Sequence, residues 1–306
     1  MPAYLARRLI QIAFILIGVS AITYVLLYML PADPARMVAG RSATAAQVET
    51  VRQQLGLDLP VWEQYGRYLG KLLQGDLGRS YLQRTQVSEL LGARIPASLL
   101  LMVGAILCEL AIGLTLGIIA GLRRNTPLDQ GLMVTALVCI STPQFVLALT
   151  LIYVFAYWLS WFPIGGYGEF KNLVLPAITL GLLGGGWYAR VTRSTVIEVL
   201  RQDFIRTARA KGLNRWRIVL VHILPNAVLP IIAMVGIDIG YFMGSIVVVE
   251  SVFGWPGIGQ LTWQAIQQID IPIIMGVTLV SACAVVLGNL LADLVAPFID
   301  PRIKLR

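Results

Sequence analysis

Apolar residues in this chain neither alternate nor keep to one helical face; they form long unbroken runs. Leu9 to Leu30 is 22 residues without a charge, and Gly131 to Ser160 is 30. Asn172 to Ala189 and Ile271 to Ala292 are also uncharged. Ile95 to Leu122 carries only Glu109, and Ile218 to Val249 only Asp238 and the sole histidine, His222. A helix rises about 1.5 Å per residue, so each run can cross a hydrocarbon core about 30 Å thick. A helix also satisfies its own backbone polar groups in lipid. The pattern therefore predicts an all-α polytopic membrane protein with six transmembrane helices. The third run has Pro143 near its middle. It reads as one tilted or kinked span, with two separate elements as the alternative. The first run follows Arg7 and Arg8, as a secretory leader would. A leader's apolar stretch is roughly 7–15 residues, and Pro31 and Asp33 follow this run in place of a small-x-small cleavage pattern, so it reads as a retained span.

Between the first two runs, residues 31–94 are too polar for lipid. Thr44 with Gln47 three residues later is a capping-box pattern, Val48, Val51 and Leu55 follow at helical spacing, and Gly56 is a suitable stop. Pro60 opens a second helix with Trp62, Tyr65, Leu69 and Leu72 on one stripe. Two amphipathic helices are predicted here, serving either as a packed cap or as a docking surface for an external partner.

Composition sharpens this picture. Charged residues are 13% of the chain, against about 25% in a soluble domain, and hydrophobic ones 57%. That excludes an ordinary soluble enzyme. It leaves too little polar surface for the net charge of +8 to mean nucleic-acid binding. Fifteen of the 24 Lys and Arg residues fall in the N-terminal tail, the second-to-third connection, the fourth-to-fifth connection and the C-terminal tail. Eight of the others lie in the long segment 31–94, which counts weakly, so both termini are expected in the cytoplasm. Cys108, Cys139 and Cys283 sit in apolar runs and imply no disulfide framework.

The fourth-to-fifth connection carries eight cations and the stretch Asp203-Phe204-Ile205-Arg206-Thr207-Ala208-Arg209-Ala210-Lys211-Gly212. Asp203 can cap a helix start, Gly212 can end it in a left-handed conformation, and Asn214 can cap a second short helix. Phe204, Ala208 and Gly212 share a face with one large and two small positions, with Arg209 and Lys211 beside it. The cations alone would also satisfy the positive-inside rule. Polar groups within the runs are the other candidates: Asp238, Tyr241 and Ser245 on one stripe of the fifth, Asn289 with Asp293 on the sixth, and Glu109 on the second. A charge in lipid is costly, so these face protein or a water-filled path, either fixing helix packing or lining a translocation pathway. Gly184-Gly185-Gly186 allows close helix approach or bending.

Ala208, Gly212, Leu224 and Pro225 resemble the cytoplasmic signature of membrane subunits of ATP-binding-cassette (ABC) importers, whose general form is Glu-Ala-Ala, three residues, Gly, nine residues, Ile, one residue, Leu-Pro. Arg206, Thr207 and His222 depart from it, in the manner of peptide and nickel permeases. Leu30-Pro31-Ala32-Asp33-Pro34-Ala35, Gln54-Leu55-Gly56-Leu57-Asp58, Gly75-Asp76-Leu77-Gly78, Phe253-Gly254-Trp255-Pro256-Gly257-Ile258-Gly259 and Asp300-Pro301-Arg302 agree with that subfamily, closest to dipeptide and glutathione permeases. The resemblance implies a type I ABC importer permease fold in a bacterial inner membrane. It divides the chain into residues 1–93 (first helix plus external segment), a permease core 94–297 with a coupling loop about 198–225, and a tail 298–306.

It further implies an assembly: a second, related permease subunit, two ATP-binding subunits in the cytoplasm, and an external solute-binding protein. Phe204, Ala208, Arg209, Lys211, Gly212, Leu224 and Pro225 would then form the ATPase-coupling loop, and Trp255, Pro256 and Gly257 an external gate or binding-protein contact. None of the four lysines sits in a Gly-Lys-Ser/Thr phosphate loop. The chain is accordingly expected to catalyse nothing and bind no cofactor, ATP and Mg belonging to partner subunits. Small peptides are the expected cargo, with nickel chelates as the alternative. A stand-alone secondary transporter or channel is the other class to separate.

Overall fold

A computed structural model of the chain describes residues 2–28, 33–40 and 42–299, with side chains at all of these but 2–6, 9, 28, 229, 243–245 and 292–299. The motif residues 30–32 and 300–302, and the side chains of Ser245 and Asp293, therefore lie outside the described set. Among described residues the structure is helical apart from one antiparallel bridge, Arg79 to Gln86. In chain order the helices are α1 (Pro2–Tyr28), α2 (Pro34–Ala39), α3 (Ala45–Leu55), α4 (Val61–Leu72), α5 (Val87–Leu122), α6 (Pro127–Ser141) and α7 (Gln144–Leu151). There follow α8 (Phe170–Val199), α9 (Asp203–Ala210), α10 (Arg215–Arg217), α11 (Leu224–Ala227), α12 (Leu229–Ser245), α13 (Val247–Val252), α14 (Ile258–Gln268) and α15 (Ile271–Ile299). Wider π-helical turns continue α7 over Ile152–Trp158 and α10 over Ile218–Ile223.

Among the described residues, four helices are long and apolar enough to cross a membrane: α1 over Ile10–Leu27, α5, α8, and α15 over Ile271–Leu291. The count reaches six if each of two bent pairs is one span. The first pair, in the third run, is bent far more sharply than a kink at Pro143 and is either one broken span or a re-entrant pair. Its halves, Pro127–Ser141 and Gln144–Trp158, meet at 107°. Pro143 lacks an N–H and pushes Thr142 out of the helical region, to φ −80° and ψ 128°. The fifth run is likewise bent, by 48°, between Arg215–Ala227 and Pro230–Phe242.

The chain forms two compact units. The first comprises residues 1–98, 243–247 and 256–286. Here the predicted capping box is present: the Gln47 N–H donates to Thr44 Oγ1, and the Thr44 N–H to Gln47 Oε1. Gly56 ends α3 at φ +67°, and Pro60 precedes α4. The packing face of α4 differs from the predicted stripe. Trp62 is 74% exposed, whereas Gln64 is buried and takes a hydrogen bond from the Tyr24 hydroxyl at 3.0 Å. Tyr65 and Tyr68 close over Tyr24 with ring centroids 5.5 and 6.0 Å away. α4 thus meets α1 through a polar, aromatic seam that sequence periodicity ranks below tryptophan and leucine. Buried Asp270 accepts from the Ser80 hydroxyl at 2.5 Å and from the Tyr81 and Leu82 N–H groups at 3.3 Å, fastening the 79–86 turn to the start of α15.

The second unit comprises residues 99–242, 248–255 and 287–306. Its centre is α8 against α5. On α5, Gly113, Gly117 and Gly121 lie one turn apart and meet Tyr188, Thr192 and Val196 of α8. A Cβ at Gly117 would sit 2.5 Å from Thr192 Cβ and 2.7 Å from the Ala189 carbonyl oxygen. From the other side Gly181 meets Cys108, and Gly185 meets Ile112. The Gly184-Gly185-Gly186 run is therefore used for close approach: Gly186 also lets the Ala136 carbonyl of α6 come near. Small residues let helix backbones touch where lipid gives no hydrophobic drive for association. α6 is further tied to α8 by Arg193, which donates from Nε and Nη2 to the buried Asp129 carboxylate at 2.5 and 2.7 Å.

Candidate functional site

The break after α6 places polar groups midway along a bent apolar pair long enough to form one span. Ser141, Thr142 and Gln144 flank Pro143, and all line a cavity of about 510 Å³. α8 contributes Gly184, Trp187 and Tyr188; α12 contributes Asp238 and Tyr241; α5 contributes Glu109. Three of the five pathway candidates, Glu109, Asp238 and Tyr241, are thus brought together. Asn289, half-buried on α15, is not among the lining residues. Ser141, Thr142, Gln144, Trp187 and Tyr188 were missed. The Ser-Thr-Pro-Gln sequence inside a 30-residue uncharged run was the available signal for three of them.

The two acids are held differently. Asp238 accepts a short hydrogen bond from the Tyr188 hydroxyl. Glu109 is 2% exposed, and its Oε2 has no hydrogen-bond partner among the described residues. Its carboxylate lies where a Cβ at Gly184 would fall, so only glycine at that position admits it. Trp187 and Tyr241 are 52% and 56% exposed and give the cavity an aromatic mouth. Arg190 lies over the Trp187 ring, 5.4 Å from its centroid.

The second candidate is α9. Gln202, in extended conformation, holds the N-cap position, so Asp203 is the first helical residue and not the cap. Its carboxylate favours the positive end of the helix and lies 3.5 Å from exposed Arg206. Gly212 follows the helix at φ +71°, the left-handed conformation expected of it. Asn214 accepts from the Trp216 N–H at 3.1 Å and caps the next turn as predicted. The predicted face does not hold together. Ala208 is buried with Ile205, in a core with Val196 and Val199 of α8 and with Ile218, Val219, Ile223 and Ala227. Phe204 is 44% exposed, and Arg209, Lys211 and Gly212 are exposed too. Three-residue spacing from Ile205 to Ala208 packs α9 inward; the four-residue stripe through Phe204 does not. Leu224 is half-buried and Pro225 exposed, directly after the π-helical turn. The Asn226 side-chain amide donates to the His222 carbonyl at 2.8 Å beside it.

The third group, expected as an external gate or a binding-protein contact, is largely interior. Trp255 is 1% exposed, edge-on to Tyr167 with centroids 4.9 Å apart. Gly257 is buried and Pro256 half-buried. The segment at Trp255 is fixed by the 165–167 turn, where the Gly166 N–H donates to the Phe253 carbonyl at 2.9 Å. Gly165 is required there, because a Cβ would overlap that carbonyl.

Known proteins resemble this chain in sequence and fold. Residues 113–305 match the family model described as "Binding-protein-dependent transport system inner membrane component", and residues 1–102 match its N-terminal companion. The glutathione transport system permease protein GsiC of Escherichia coli (strain K12) is 38% identical over 301 residues, 98% of each chain. The oligopeptide transport system permease protein AppB of Bacillus subtilis (strain 168) is 38% identical over 315 residues, 99% of this chain and all of that one. Among solved structures, an inward-facing MetNI methionine ABC transporter matches in fold with a TM-score of 0.58. It is 19% identical, over 69% of this chain and 96% of that one. With both family models satisfied along nearly its whole length, the chain belongs to the binding-protein-dependent transport system inner membrane components, as a multi-pass, non-enzymatic permease subunit of an ABC importer.

Proposed function

We propose that this permease carries small peptides of the dipeptide, oligopeptide or glutathione kind inward by alternating access. It pairs with a related but distinct permease subunit, two ATP-binding subunits that hold ATP and Mg, and an external solute-binding protein. Both termini lie in the cytoplasm, and residues 31–94 lie outside. The cavity bounded by Glu109, Thr142, Gln144, Tyr188, Asp238 and Tyr241 is the observation that carries this reading, because polar groups at that depth need a polar occupant. The names of the two relatives support peptide over nickel chelate as cargo.

α9 is the contact for an ATP-binding subunit. Its exposed residues Phe204, Arg209, Lys211 and Gly212 meet the partner, while Ile205 and Ala208 bind it to its own chain. The two faces give the ATPase cycle a physical route to the ends of α5 and α8, through Ile118, Leu122, Val196 and Val199. Differential contacts in the two nucleotide states then bias the permease between two conformations. Trp255, Pro256 and Gly257 act as part of an external gate and do not serve as a surface for the binding protein.

The test is uptake by the complete transporter in proteoliposomes, comparing labelled alanyl-alanine, glutathione and a nickel–histidine complex. Peptide uptake that needs ATP and every subunit is expected. Nickel uptake without peptide uptake would overturn the cargo, and uptake without the ATP-binding subunits would overturn the coupling.

A further inference from the structure

The cavity described above is chemically one-sided. Two carboxyls line it, and no lysine, arginine or histidine does. The one nearby cation in a described contact, Arg190, is stacked on Trp187 outside the lining. Much of the remaining wall is apolar, including Leu180, Leu183, Met234 and Phe242. In such surroundings a carboxyl without a partner is expensive to keep, because it has lost water and gained nothing. Glu109 is in that position: it is almost fully buried, with Oε2 unpartnered. Glycine at 184 removes the one side chain that would occupy its space. Asp238 is anchored by Tyr188, so the pair consists of one oriented acid and one with an oxygen left without a partner.

We propose that Glu109 and Asp238 form a seat for a protonated primary amine, the N-terminal ammonium of the cargo. The seat rests on the reading of the cavity as the peptide pathway, and assigns the end by which a peptide enters it. An ammonium has three donors and no acceptor. Glu109 Oε2 and the Asp238 carboxyl, ionised against the ammonium, supply two acceptors, and the Ser141 and Thr142 hydroxyls add neutral ones. The Thr142 hydroxyl donates to the Val138 carbonyl at 2.7 Å, which leaves its lone pairs to accept. Tyr241 offers an aromatic face at the mouth, whereas the Trp187 ring is already occupied by Arg190. A cation between the acids favours their ionised forms and makes charge-assisted hydrogen bonds with them. A peptide whose amine is acetylated does neither.

The experiment uses the complete permease–ATPase complex in nanodiscs, without binding protein, and reads dissociation constants by saturation-transfer NMR. The probes are alanyl-alanine, its N-acetyl derivative, its C-terminal amide, n-butylamine and n-butanol. Loss of a hydrogen-bonded charge is expected to weaken the N-acetyl peptide by about tenfold or more, while the amide stays close to the free peptide. Butylamine should bind and butanol should not. Glu109→Gln should remove the preference for the free amine, Glu109→Asp should keep part of it, and Tyr188→Phe should weaken it by releasing Asp238. Equal binding of free and acetylated peptide overturns the seat. So does a Glu109→Gln complex that keeps the preference, which would make Glu109 a packing group. If that variant fails to assemble, the wild-type comparison of the five probes decides alone. Butylamine separates the seat from the cargo: Glu109-dependent butylamine binding in a complex that imports no peptide upholds the seat and rejects the peptide reading. Peptide import with no amine preference does the reverse.

Discussion

Gly212 ends α9 at φ +71°, and a Cβ built there meets nothing of its own chain within 4 Å. These two facts separate strain from contact. A non-glycine residue in the left-handed region costs about 1–2 kcal/mol, and a β-branched one sits toward the upper end. Since no atom of this chain opposes the new side chain, Gly212→Val should add little beyond that strain. For a chain of this size that is a fall in melting temperature of roughly 2–8 °C. Membrane abundance should stay normal. If an ATP-binding subunit sits against Gly212, the added volume acts at the interface as well, and overpacking there costs a further 1–3 kcal/mol or so. Uptake should then fall by about tenfold or more. Gly212→Asn tests the division, because asparagine tolerates the left-handed region yet has a comparable volume. Gly56→Val is the strain control: φ there is +67°, and its Cβ would lie 3.7 Å from Leu59. It should lose stability like Gly212→Val and keep uptake. The assay measures membrane abundance, co-purified ATPase and uptake for the three variants. Normal uptake by Gly212→Val, or equal loss of uptake by Gly56→Val, refutes the docking role.

Three further predictions use the same preparation. Gly117→Leu should destabilise by about 1–3 kcal/mol through collision with Thr192 and Ala189, whereas Gly131→Ala, where nothing lies within 4 Å, should be neutral; thermal stability in detergent reads both, and an unaffected Gly117→Leu would refute the α5–α8 packing. Asp129→Ala leaves Arg193 without its bidentate partner and should cost roughly 3 kcal/mol, the low end for a broken buried pair because Arg193 is 29% exposed; a melting curve like wild type would count against it. Single cysteines at Glu63 and Arg217, in a background lacking Cys108, Cys139 and Cys283, should label from opposite sides of the membrane, and reaction of both with an impermeant reagent from outside would refute the proposed topology. Gln64 is unsuitable for this, being 7% exposed and hydrogen-bonded to Leu59 and Tyr24.

Where local chemistry alone sets the backbone, the chain was readable. The Thr44 and Asn214 caps and the left-handed Gly56 and Gly212 are in place, because each depends on one or two neighbouring residues. The class of fold followed from run lengths. What sequence could not supply was the direction in which a side chain is buried. Periodicity put Trp62 on the packing stripe of α4 because it is large and apolar, but membrane proteins expose such residues freely, and the buried residue is Gln64; on α9 it grouped Ala208 with the partner-facing Phe204, whereas Ala208 is buried with Ile205. The sharpness of the bend at Pro143 was also missed. A proline licenses anything from a kink to a right angle, and helices packed on either side choose among them. For Trp255 the motif left open a gate or a binding-protein contact; its burial depends on a turn some 90 residues earlier, which the local sequence does not show.

The glycine ladder between α5 and α8 has a mechanical consequence. Gly113, Gly117 and Gly121 meet α8 with less clearance than one carbon atom, while Gly181 and Gly185 do the same from the opposite side. Two rods meshed in this way can neither roll nor slide past each other by a fraction of a turn without driving backbone into side chain. They must travel together, as a single strut. Whatever movement opens and closes this subunit is therefore displaced to places where the meshing stops. Two such joints are the 107° corner at Thr142–Pro143, which lines the cavity, and the bend between Ala227 and Pro230, ahead of Met234 in its wall. Glu109 and Tyr188 ride on the strut, whereas Gln144 and Asp238 lie beyond the joints. The cavity's walls thus belong to different moving parts, and its volume changes whenever either joint flexes.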